Sequence, residues 1–262
     1  MNKGFDSCRL VTGFRNKVLK SYIYALRNFI MNTNPIIDVI IPAYNEGQSI
    51  GKVVKAIPAG LVRDIIVCNN NSKDDTALSA REAGATVVDQ PVRGYGNACL
   101  AGIAYIRLQP EDTQPDVVIF MDGDYSDFPG EMHLLLAPIL EGKDMVIGSR
   151  VSGKSEQGSM TTPQVFGNWL ATHLIRLLFG YRFTDLGPFR AIRWKKLLEL
   201  DMQDKTYGWT VEMQVKAVKK NMQCAEVPVS YRKRIGKSKV SGTIKGTILA
   251  GYKILWTIFK SL

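Results

Sequence analysis

The chain has 262 residues, 45% of them apolar, which is enough to bury a full core in one large α/β domain or two small ones. Its four scattered cysteines argue against a disulfide framework or a zinc ribbon, and its two histidines argue against a His-based zinc site or a Ser-His-Asp triad. The net charge of +10 comes from the ends of the chain, because residues 1–34 carry +5 and residues 227–262 carry +8, whereas residues 35–226 carry −3. This distribution argues against nucleic-acid binding by the central part and favours contact between the basic ends and anionic lipid.

The first 34 residues predict a basic amphipathic extension. Their apolar side chains recur at the spacing of one helix face, and Lys and Arg residues interrupt any apolar run typical of a signal peptide or a membrane-spanning helix. The face comprises Leu19, Tyr22, Ile23, Leu26, Phe29 and Ile30. Three interpretations stay open, namely an interfacial helix, a targeting segment and a misassigned start ahead of Met31.

From residue 35 onward, short apolar runs alternate with helical patterns. The predicted strands cover residues 36–41, 64–68, 85–89, 116–121 and 144–148, and the helices after them cover 49–57, 74–84, 96–108 and 129–140. This alternation predicts an α/β fold with a mainly parallel, doubly wound sheet. Such sheets bind ligands beyond the carboxyl ends of their strands, so we expect the chemistry at residues 42–47, 69–75 and 122–127.

The second half of the chain is less regular. Residues 150–163 are polar and rich in Gly and Ser, which predicts a mobile loop; helices are expected at 166–179 and 210–220, a turn at 184–188 and a strand at 225–231. The tail, 242–262, is apolar except for Lys245, Lys253 and Lys260, which fall within about 80° of one another around a helix. We expect a helix at a membrane interface, the alternative being a helix docked on its own domain or on a second subunit. The boundaries are therefore 1–34 for the extension, 35–241 for the folded domain and 242–262 for the C-terminal helix.

Asp122-Gly123-Asp124 directly follows the strand predicted at 116–121. Two carboxylates one residue apart at the end of a buried strand face one cleft, and they repel each other unless a cation lies between them. Their hard oxygen atoms suit Mg²⁺ or Mn²⁺, which keeps coordination positions open for phosphate oxygens. A metal ion there can bind a diphosphate and stabilise it as a leaving group. On its own, Asp-Gly-Asp is also an ordinary turn composition.

The loops after the first two predicted strands also carry polar groups. In the first, Tyr44 offers an aromatic face for a base and Glu46 offers a hydrogen-bond acceptor. The second, residues 69–74, has the sequence NNNSKD, which is equally typical of an Asx turn that caps the next helix.

Taken together, IIPAYNE, NNNSKDDT and DGDYSD, in this order and spacing, resemble the family 2 glycosyltransferases of the GT-A fold. VIGSR, TDLGPFR, YGWTVEMQVKA and YRKRIGKSK extend the match and are most similar to the branch that contains dolichyl-phosphate mannose and polyprenyl-phosphate glucose synthases. The resemblance covers residues 35–241. It implies an inverting, metal-dependent enzyme at the cytoplasmic face of the membrane, which transfers a sugar from a UDP- or GDP-sugar to a polyprenyl phosphate or another membrane-associated acceptor.

The resemblance also implies roles for individual residues on the donor side. Those expected to bind the nucleotide sugar are Pro42, Ala43, Tyr44, Glu46, Asn69, Asp74, Arg93, Gly94, Asp122 and Gly123, with Arg234, Lys237 and Lys239 closing over the diphosphate. The expected metal ligands are Asp122, Asp124 and Ser126. Asn69 stands where the family usually has an aspartate that reads the base, so the identity of the base stays open.

On the acceptor side, the resemblance implies that Arg150 meets the acceptor's phosphate and that Glu212 supports this site. Asp185 is the expected base if the acceptor is a hydroxyl; a phosphate acceptor, already an anion, needs little help from a base. Two simpler interpretations stay open, since Arg150 could be an ordinary surface residue and Glu212 could pair with Lys216 four residues later. Residues 152–162 are expected to gate the acceptor site, unless they are only a linker.

Other functional classes are weighed against this one. A nucleotidyltransferase should carry a Gly-rich, basic loop after its first strand, whereas PAYNEG contains no Lys or Arg. Asn69 is the feature that most favours a membrane-bound scaffold with the fold but without turnover. Trp169, Trp194 and Trp209 are expected in the core or at an interface rather than against a sugar. A homo-oligomer stays open.

Overall fold

A seven-stranded sheet organises the protein, with the strand order β3-β2-β1-β4-β6-β5-β7. The computed structural model describes residues 35–236 and 244–262, so the extension predicted at 1–34 lies outside the described residues. The strands are β1 Ile37–Ala43, β2 Asp64–Asn69, β3 Thr86–Asp89, β4 Val117–Phe120, β5 Met145–Ser149, β6 Arg190–Arg193 and β7 Cys224–Pro228. The predicted strands thus appear with ends shifted by up to three residues, and the α/β fold class is confirmed.

The central strands are buried on both faces. β1 pairs in parallel with β2 and β4, β2 pairs in parallel with β3, and β5 pairs in parallel with β7. Parallel strands covered on both faces need nearly continuous apolar sequence, which IDVIIPA in β1 and VVIF in β4 provide. The one charged side chain in β1, Asp38, is bound by the guanidinium of Arg63.

No strand is predicted from the sequence at Arg190–Arg193, where β6 runs antiparallel between β4 and β5. Its sequence, RAIR, has two apolar residues between two arginines and so lacks the apolar run that indicates a strand. Arg190 is nevertheless fully buried, and its guanidinium donates hydrogen bonds to the carbonyls of Leu186, Gly187 and Thr210. These acceptors replace the water that burial removes.

Helices cover both faces of the sheet. Those in the described residues are α1 Ile50–Ala56, α2 Thr76–Glu82, α3 Tyr95–Arg107, α4 Met132–Leu140, α5 Thr162–Phe179, α6 Trp194–Leu200, α7 Trp209–Lys219 and α8 Ile244–Lys260. α6 is a second element that the sequence analysis does not predict. α5 starts four residues earlier than expected because Thr161 and Gln164 form a reciprocal capping box and Pro163 lies in the first turn.

The C-terminal helix α8 packs against α5 and α7. One of its faces is buried, with Thr257 and Ile258 inside the domain, while Ile248, Tyr252 and Trp256 are exposed on the other. None of the helices in residues 35–236 and 244–262 combines the length and the apolar character needed to cross a membrane. The tail therefore docks on its own domain through one face and presents an apolar second face to the outside.

Candidate active site

A cleft with a volume of about 440 Å³ opens at the carboxyl ends of β1, β2 and β4. This is the edge at which an open α/β sheet binds its ligands, and the volume is typical of a small-molecule site. The predicted site residues that line it are Pro42, Ala43, Tyr44, Glu46, Arg93, Gly94, Asp122, Gly123, Asp124 and Arg234. Motifs from both ends of the folded domain therefore meet in one place.

Three carboxylates share the loop that follows β4. Asp122 and Asp124 line the cleft, and the carboxylate of the buried Asp127 accepts the Asp122 amide at 3.2 Å. Burial and the nearby charge of Asp124 raise the pKa of Asp122 to about 7. Burial and the negative charges of Asp122 and Asp124 raise the pKa of Asp127 well above its ordinary value. The loop thus concentrates negative charge where water is scarce, and a bound cation would relieve that repulsion.

Two hydroxyl groups orient the cleft aspartates. The Tyr95 hydroxyl donates to Asp122 Oδ1 at 3.1 Å. The amide and hydroxyl of Ser126 both donate to Asp124 Oδ1, and Ser126 is fully buried. Ser126, predicted as a metal ligand, therefore contacts Asp124 rather than lining the cleft.

Arg234 lines the cleft and contacts acidic groups from two of its loops. Its Nη2 atom lies 2.9 Å from Asp124 Oδ2 and 3.3 Å from Glu46 Oε1, so one guanidinium joins the loops after β1 and β4. The backbone beside it is fixed as well, since the Ile235 amide donates to the Asp124 carbonyl at 2.9 Å. Lys237 and Lys239, the other two predicted diphosphate ligands, lie outside the described residues.

Arg232 fastens the basic segment at residues 231–235, which also contains Arg234, to the loop that follows β4. Its guanidinium lies 3.4 Å from the ring centroid of Tyr125 and 4.2 Å from that of Phe128. It also donates to the carbonyls of Tyr125 and Asp127. Tyr125 has a φ of 66°, in the left-handed region, so these contacts hold a strained residue between the two candidate metal ligands and Asp127.

The loop after β1 supplies an aromatic and an acidic group. The Arg93 guanidinium lies 3.9 Å from the centroid of the Tyr44 ring, and both residues line the cleft. Ser49, which is buried, donates to the Gly123 carbonyl at 2.8 Å and to the Glu46 carboxylate at 3.2 Å. Ser49 therefore connects the acidic group of the β1 loop to the loop that follows β4.

Asn69 is not among the residues that line the cleft. Its amide donates to Asp89 Oδ1 at 2.7 Å, whereas the next residue, Asn70, reaches the cleft wall. Asn70 Oδ1 accepts the Gly94 amide at 2.7 Å and its Nδ2 donates to the Val92 carbonyl at 2.8 Å. Asn70 thereby fixes the backbone that carries the cleft residues Arg93 and Gly94.

Asp74 lies behind the cleft wall and joins two of its loops. Its Oδ2 atom accepts the Gly47 amide at 3.0 Å, and its Oδ1 atom accepts the amide and hydroxyl of Thr76. Burial alone would raise the pKa of Asp74, but these hydrogen bonds outweigh it and lower the pKa. Asp74 therefore stays ionised and ties the β1 loop to the start of α2.

Arg150 and Asp185 form a buried ion pair. Asp185 Oδ2 accepts the Arg150 amide at 2.7 Å and Nε at 2.8 Å, and Asp185 Oδ1 accepts Nη2 at 2.7 Å. Burial alone would lower the pKa of Arg150, but the attraction and hydrogen bonds of Asp185 raise it above its ordinary value. Glu226 fixes the turn that carries Asp185, since its carboxylate accepts hydrogen bonds from the amides of Thr184 and Asp185. Asp185 is placed to fix Arg150, with three N–H donors on its carboxylate.

Glu212 is not part of the cleft lining. On α7 its carboxylate accepts the amides of Gln203 at 2.9 Å and Asp204 at 2.7 Å, and it pairs with Lys216 at 2.8 Å. The structure thus contains the i+4 pair that the sequence left open. Glu212 anchors the loop between α6 and α7.

A second cavity, with a volume of about 300 Å³, lies between α5 and the loop after β5. Val151, Met160 and Trp169 give it apolar walls, and Arg176 and Arg182 give it positive charge. Two of its lining residues, Val151 and Thr184, are the chain neighbours of Arg150 and Asp185. The cavity is therefore next to that ion pair.

The family model for glycosyl transferase family 2 matches residues 38–200. An uncharacterized glycosyltransferase of Mycobacterium tuberculosis is 36% identical over 219 residues, covering 82% of this chain and 94% of that protein. The chain belongs to glycosyl transferase family 2. A dolichyl-phosphate hexose transferase of Haloferax volcanii is 32% identical to the glycosyltransferase over 209 residues, covering 77% of this chain and 85% of the relative.

The fold of the glycosyltransferase is also that of a solved structure. Glucosyl-3-phosphoglycerate synthase from Mycobacterium tuberculosis, in complex with Mn²⁺, uridine diphosphate and phosphoglyceric acid, superposes with a TM-score of 0.70. The match has 23% sequence identity and covers 91% of this chain and 82% of that chain. The predicted GT-A fold is thereby confirmed.

Asp122 and Asp124 bring two carboxylates to the open cleft of the glycosyltransferase, and oxygen ligands of this kind suit a divalent cation. Across residues 35–236 and 244–262, no cluster of three or more His, Cys, Asp or Glu is arranged to hold a metal ion alone. Mg²⁺ commonly takes one or two carboxylates and completes its coordination with water and substrate phosphates. The two crowded carboxylates on an open cleft satisfy that requirement.

Some cleft residues escape the sequence analysis. Besides Asn70, these include Tyr95, Thr206 and Tyr207. Tyr95 stands between two glycines in RGYGNA, a pattern that indicates close backbone approach and could have directed attention to it. Thr206 and Tyr207 come from the α6–α7 loop. Tyr207 begins the motif YGWTVEMQVKA, which could have directed attention to this loop, whereas nothing in the local pattern marks Thr206.

Proposed function

We propose that this glycosyltransferase transfers a hexose from a UDP- or GDP-sugar to the phosphate of a membrane-held polyprenyl phosphate, with inversion and with Mg²⁺ or Mn²⁺. The observation that carries the proposal is the meeting of Tyr44, Arg93, the two cleft aspartates and Arg234 in one cleft. An aromatic ring suits a base, carboxylates suit a metal ion and a guanidinium suits a diphosphate. Relatives named for these ligands support the proposal, namely the dolichyl-phosphate hexose transferase and the synthase bound to Mn²⁺ and uridine diphosphate.

The donor would bind with its base near Tyr44 and its diphosphate near Arg234. The guanidinium of Arg234 bridges Asp124 and Glu46, so it already lies at the part of the cleft where we place the diphosphate. Phosphate oxygens would take over its hydrogen bonds when the donor binds, which would leave Asp124 Oδ2 available to the metal ion. Asp122 and Asp124 would hold that metal, with Tyr95 and Ser126 fixing their carboxylates. The metal ion would supply positive charge to the diphosphate as it leaves.

The acceptor would enter from the second cavity. Its apolar walls suit the isoprenoid end of a lipid, and Arg176, Arg182 and the adjacent Arg150 suit a phosphate. Asp185 presents Arg150 in a fixed orientation, because three N–H donors of Arg150 bind its carboxylate. The geometry favours this positioning role for Asp185 over that of a general base.

The reaction needs no base when the acceptor is a phosphate. An acceptor oxygen attacks the anomeric carbon, the bond from that carbon to the diphosphate oxygen breaks, and its electron pair leaves with the nucleoside diphosphate. Attack from the face opposite the leaving group inverts the configuration. Arg234 stabilises the charge that develops on the diphosphate, and Arg150 orients the attacking phosphate.

A membrane surface would hold the acceptor. α8 exposes Ile248, Tyr252 and Trp256 at four-residue spacing, and α5, which packs against it, exposes Phe166 and Trp169. Neither helix contains an Asp or a Glu. An exposed aromatic face without acidic residues is typical of a helix in contact with anionic lipid headgroups, and it supports a peripheral membrane location. We place this location at the cytoplasmic face, as the family resemblance implies.

The test is nucleoside diphosphate release from a panel of UDP- and GDP-sugars, with and without a short polyprenyl phosphate, in Mn²⁺ or Mg²⁺ and then in EDTA. Release that needs both metal and lipid phosphate is the expected result. Release without lipid would reassign the acceptor to a hydroxyl and return Asp185 to the role of base. No release and no binding of any donor would leave a scaffold without turnover.

A further inference from the structure

One wall of the donor cleft comes from a loop between two helices, and not from the loops that follow the strands. Thr206 and Tyr207, from the α6–α7 loop, line the cleft beside Gly94 and Tyr95. The loop is joined to the start of α3 by two backbone hydrogen bonds, from the Gly96 amide to Thr206 at 3.2 Å and from the Asn97 amide to the Lys205 carbonyl at 3.0 Å. The cleft wall is therefore built from two backbones in contact.

Glycines make this approach possible. Gly94 has a φ of 145°, and a Cβ atom added there would lie 2.2 Å from the Lys205 carbonyl oxygen. A Cβ atom on Gly96 would lie 1.9 Å from the Asp204 carbonyl oxygen. Because both of these contacts would be with backbone atoms, only glycine at positions 94 and 96 lets the α6–α7 loop lie directly against the segment that carries Arg93 and Tyr95.

Asp204 holds that loop together from inside. It is buried, its Oδ1 atom accepts the amides of Thr206 at 2.7 Å and Gly208 at 3.1 Å, and its own amide donates to Glu212 at 2.7 Å. Its remaining oxygen, Oδ2, lies 3.0 Å from Lys253 Nζ, in the middle of the C-terminal helix α8. A buried carboxylate loses hydration, so an ion-pair partner matters more there than at the surface.

A second contact between α8 and the α6–α7 loop involves no charged group. A Cβ atom on Gly208 would lie 2.4 Å from Thr257 Oγ1, one helical turn after Lys253. Two polar residues of α8, Lys253 and Thr257, thus face the α6–α7 loop, while Tyr252 and Trp256 are exposed. The helix that would contact the membrane is the helix that secures the cleft wall.

We propose that Lys253 is a positioning residue for the donor site, acting through Asp204 to hold the Thr206–Tyr207 wall against Gly94 and Gly96. This inference rests on the proposed function in one respect, namely that the cleft binds a nucleoside diphosphate. Docking of α8 is thereby linked to donor affinity, so that a helix dislodged from the domain leaves a loosened donor site.

The test compares Lys253→Met with Lys253→Arg, Asp204→Asn and the double variant Lys253→Met with Asp204→Asn. Lys196→Met, which removes an exposed i+3 pair with Glu199, is the matched control. Binding of UDP and GDP is measured by calorimetry with Mn²⁺, donor KM and kcat are measured separately, and exchange of the Gly96 and Asn97 amides is followed by hydrogen–deuterium exchange.

We expect Lys253→Met to weaken nucleoside diphosphate binding and raise donor KM about tenfold, with a smaller change in kcat, as for a coupling between contacting residues. Lys253→Arg should restore nucleoside diphosphate binding. The double variant should lose no more affinity than either single change. Both the Gly96 and Asn97 amides should exchange faster in Lys253→Met. Unchanged affinity and exchange in Lys253→Met would overturn the proposal, as would an equal loss in the arginine variant. If the unaltered protein binds no nucleoside diphosphate, the proposed function fails, and amide exchange alone decides whether Lys253 holds the loop.

Discussion

Asp122 and Asp124 face the same cleft, but each has a different partner. Tyr95 binds Asp122, whereas Arg234 and Ser126 bind Asp124. Changing either aspartate to asparagine removes a negative charge while keeping its shape. If both ligate the metal ion, each change withdraws charge stabilisation from the departing diphosphate.

We expect Asp122→Asn and Asp124→Asn each to lower kcat/KM by about 10²- to 10³-fold, the range for loss of one electrostatic catalytic contact. Mn²⁺ affinity, measured by titration in the presence of nucleoside diphosphate, should fall in parallel. Asp112→Asn, in the exposed turn at Glu111–Thr113, is the control and should leave both quantities unchanged. Near-normal turnover in both cleft variants would remove the metal role from this loop.

Asp185 and Arg150 act as a unit, so we expect Asp185→Asn to damage the acceptor site through Arg150. The change leaves a buried guanidinium without its counter-charge, which should lower the free energy of unfolding by about 3 kcal/mol in denaturant titrations. In kinetics, the KM for the acceptor should rise while the affinity for nucleoside diphosphate stays constant. A kcat lost with acceptor KM unchanged, and recovered as pH rises, would instead indicate a general base.

The basic segment at residues 231–235 shows how one element can carry two kinds of arginine. Arg232 stacks on aromatic rings and fixes the backbone, while Arg234 reaches the cleft carboxylates. We expect Arg234→Ala to weaken nucleoside diphosphate binding about tenfold or more in calorimetry, because it removes a charge-assisted hydrogen bond to the diphosphate. Lys233→Ala, between them and paired with Glu156 at the surface, should have little effect. Equal losses in the two variants would show that the segment contributes only general positive charge.

Local sequence pattern predicts the parallel strands and fails at β6 for an identifiable reason. β1 and β4 are apolar throughout because both of their faces are covered, and that pattern is visible in the chain. In β6 the buried Arg190 is compensated by three carbonyls that only the folded loop brings together. In the sequence this charge has no visible partner, and no strand is predicted there.

The same limit applies to the site. Asp122, Asp124 and Tyr44 are readable because each follows a strong strand at the ligand-binding edge. The pairing of Arg150 with Asp185, across 35 residues, depends on tertiary contacts that no local period encodes. Asn69 and Asn70 are residues of the same type. Only the direction of each side chain at the end of β2 decides which one reaches the cleft.

At the scale of the whole molecule, charge and exposed apolar surface both point to the C-terminal part of the chain. Residues 227–262 contain eight Lys or Arg and no acid, and α8 within them exposes an aromatic face. Hydrophobic insertion and attraction to anionic lipid add to each other at a membrane surface. Binding should therefore depend on the aromatic residues and on the ionic strength together.

We expect Trp256→Ser and Tyr252→Ser each to weaken binding to vesicles of phosphatidylserine and phosphatidylcholine about tenfold, from the apolar area withdrawn from the bilayer. Leu108→Ser removes an apolar side chain that is 85% exposed at the end of α3, and it should leave vesicle binding unchanged. Added salt should weaken binding of all variants, because it screens the basic C-terminal segment. If the Leu108 variant falls as far as the α8 variants, the contact is nonspecific; if none falls, α8 does not face lipid and its exposed side is open to a second protein surface.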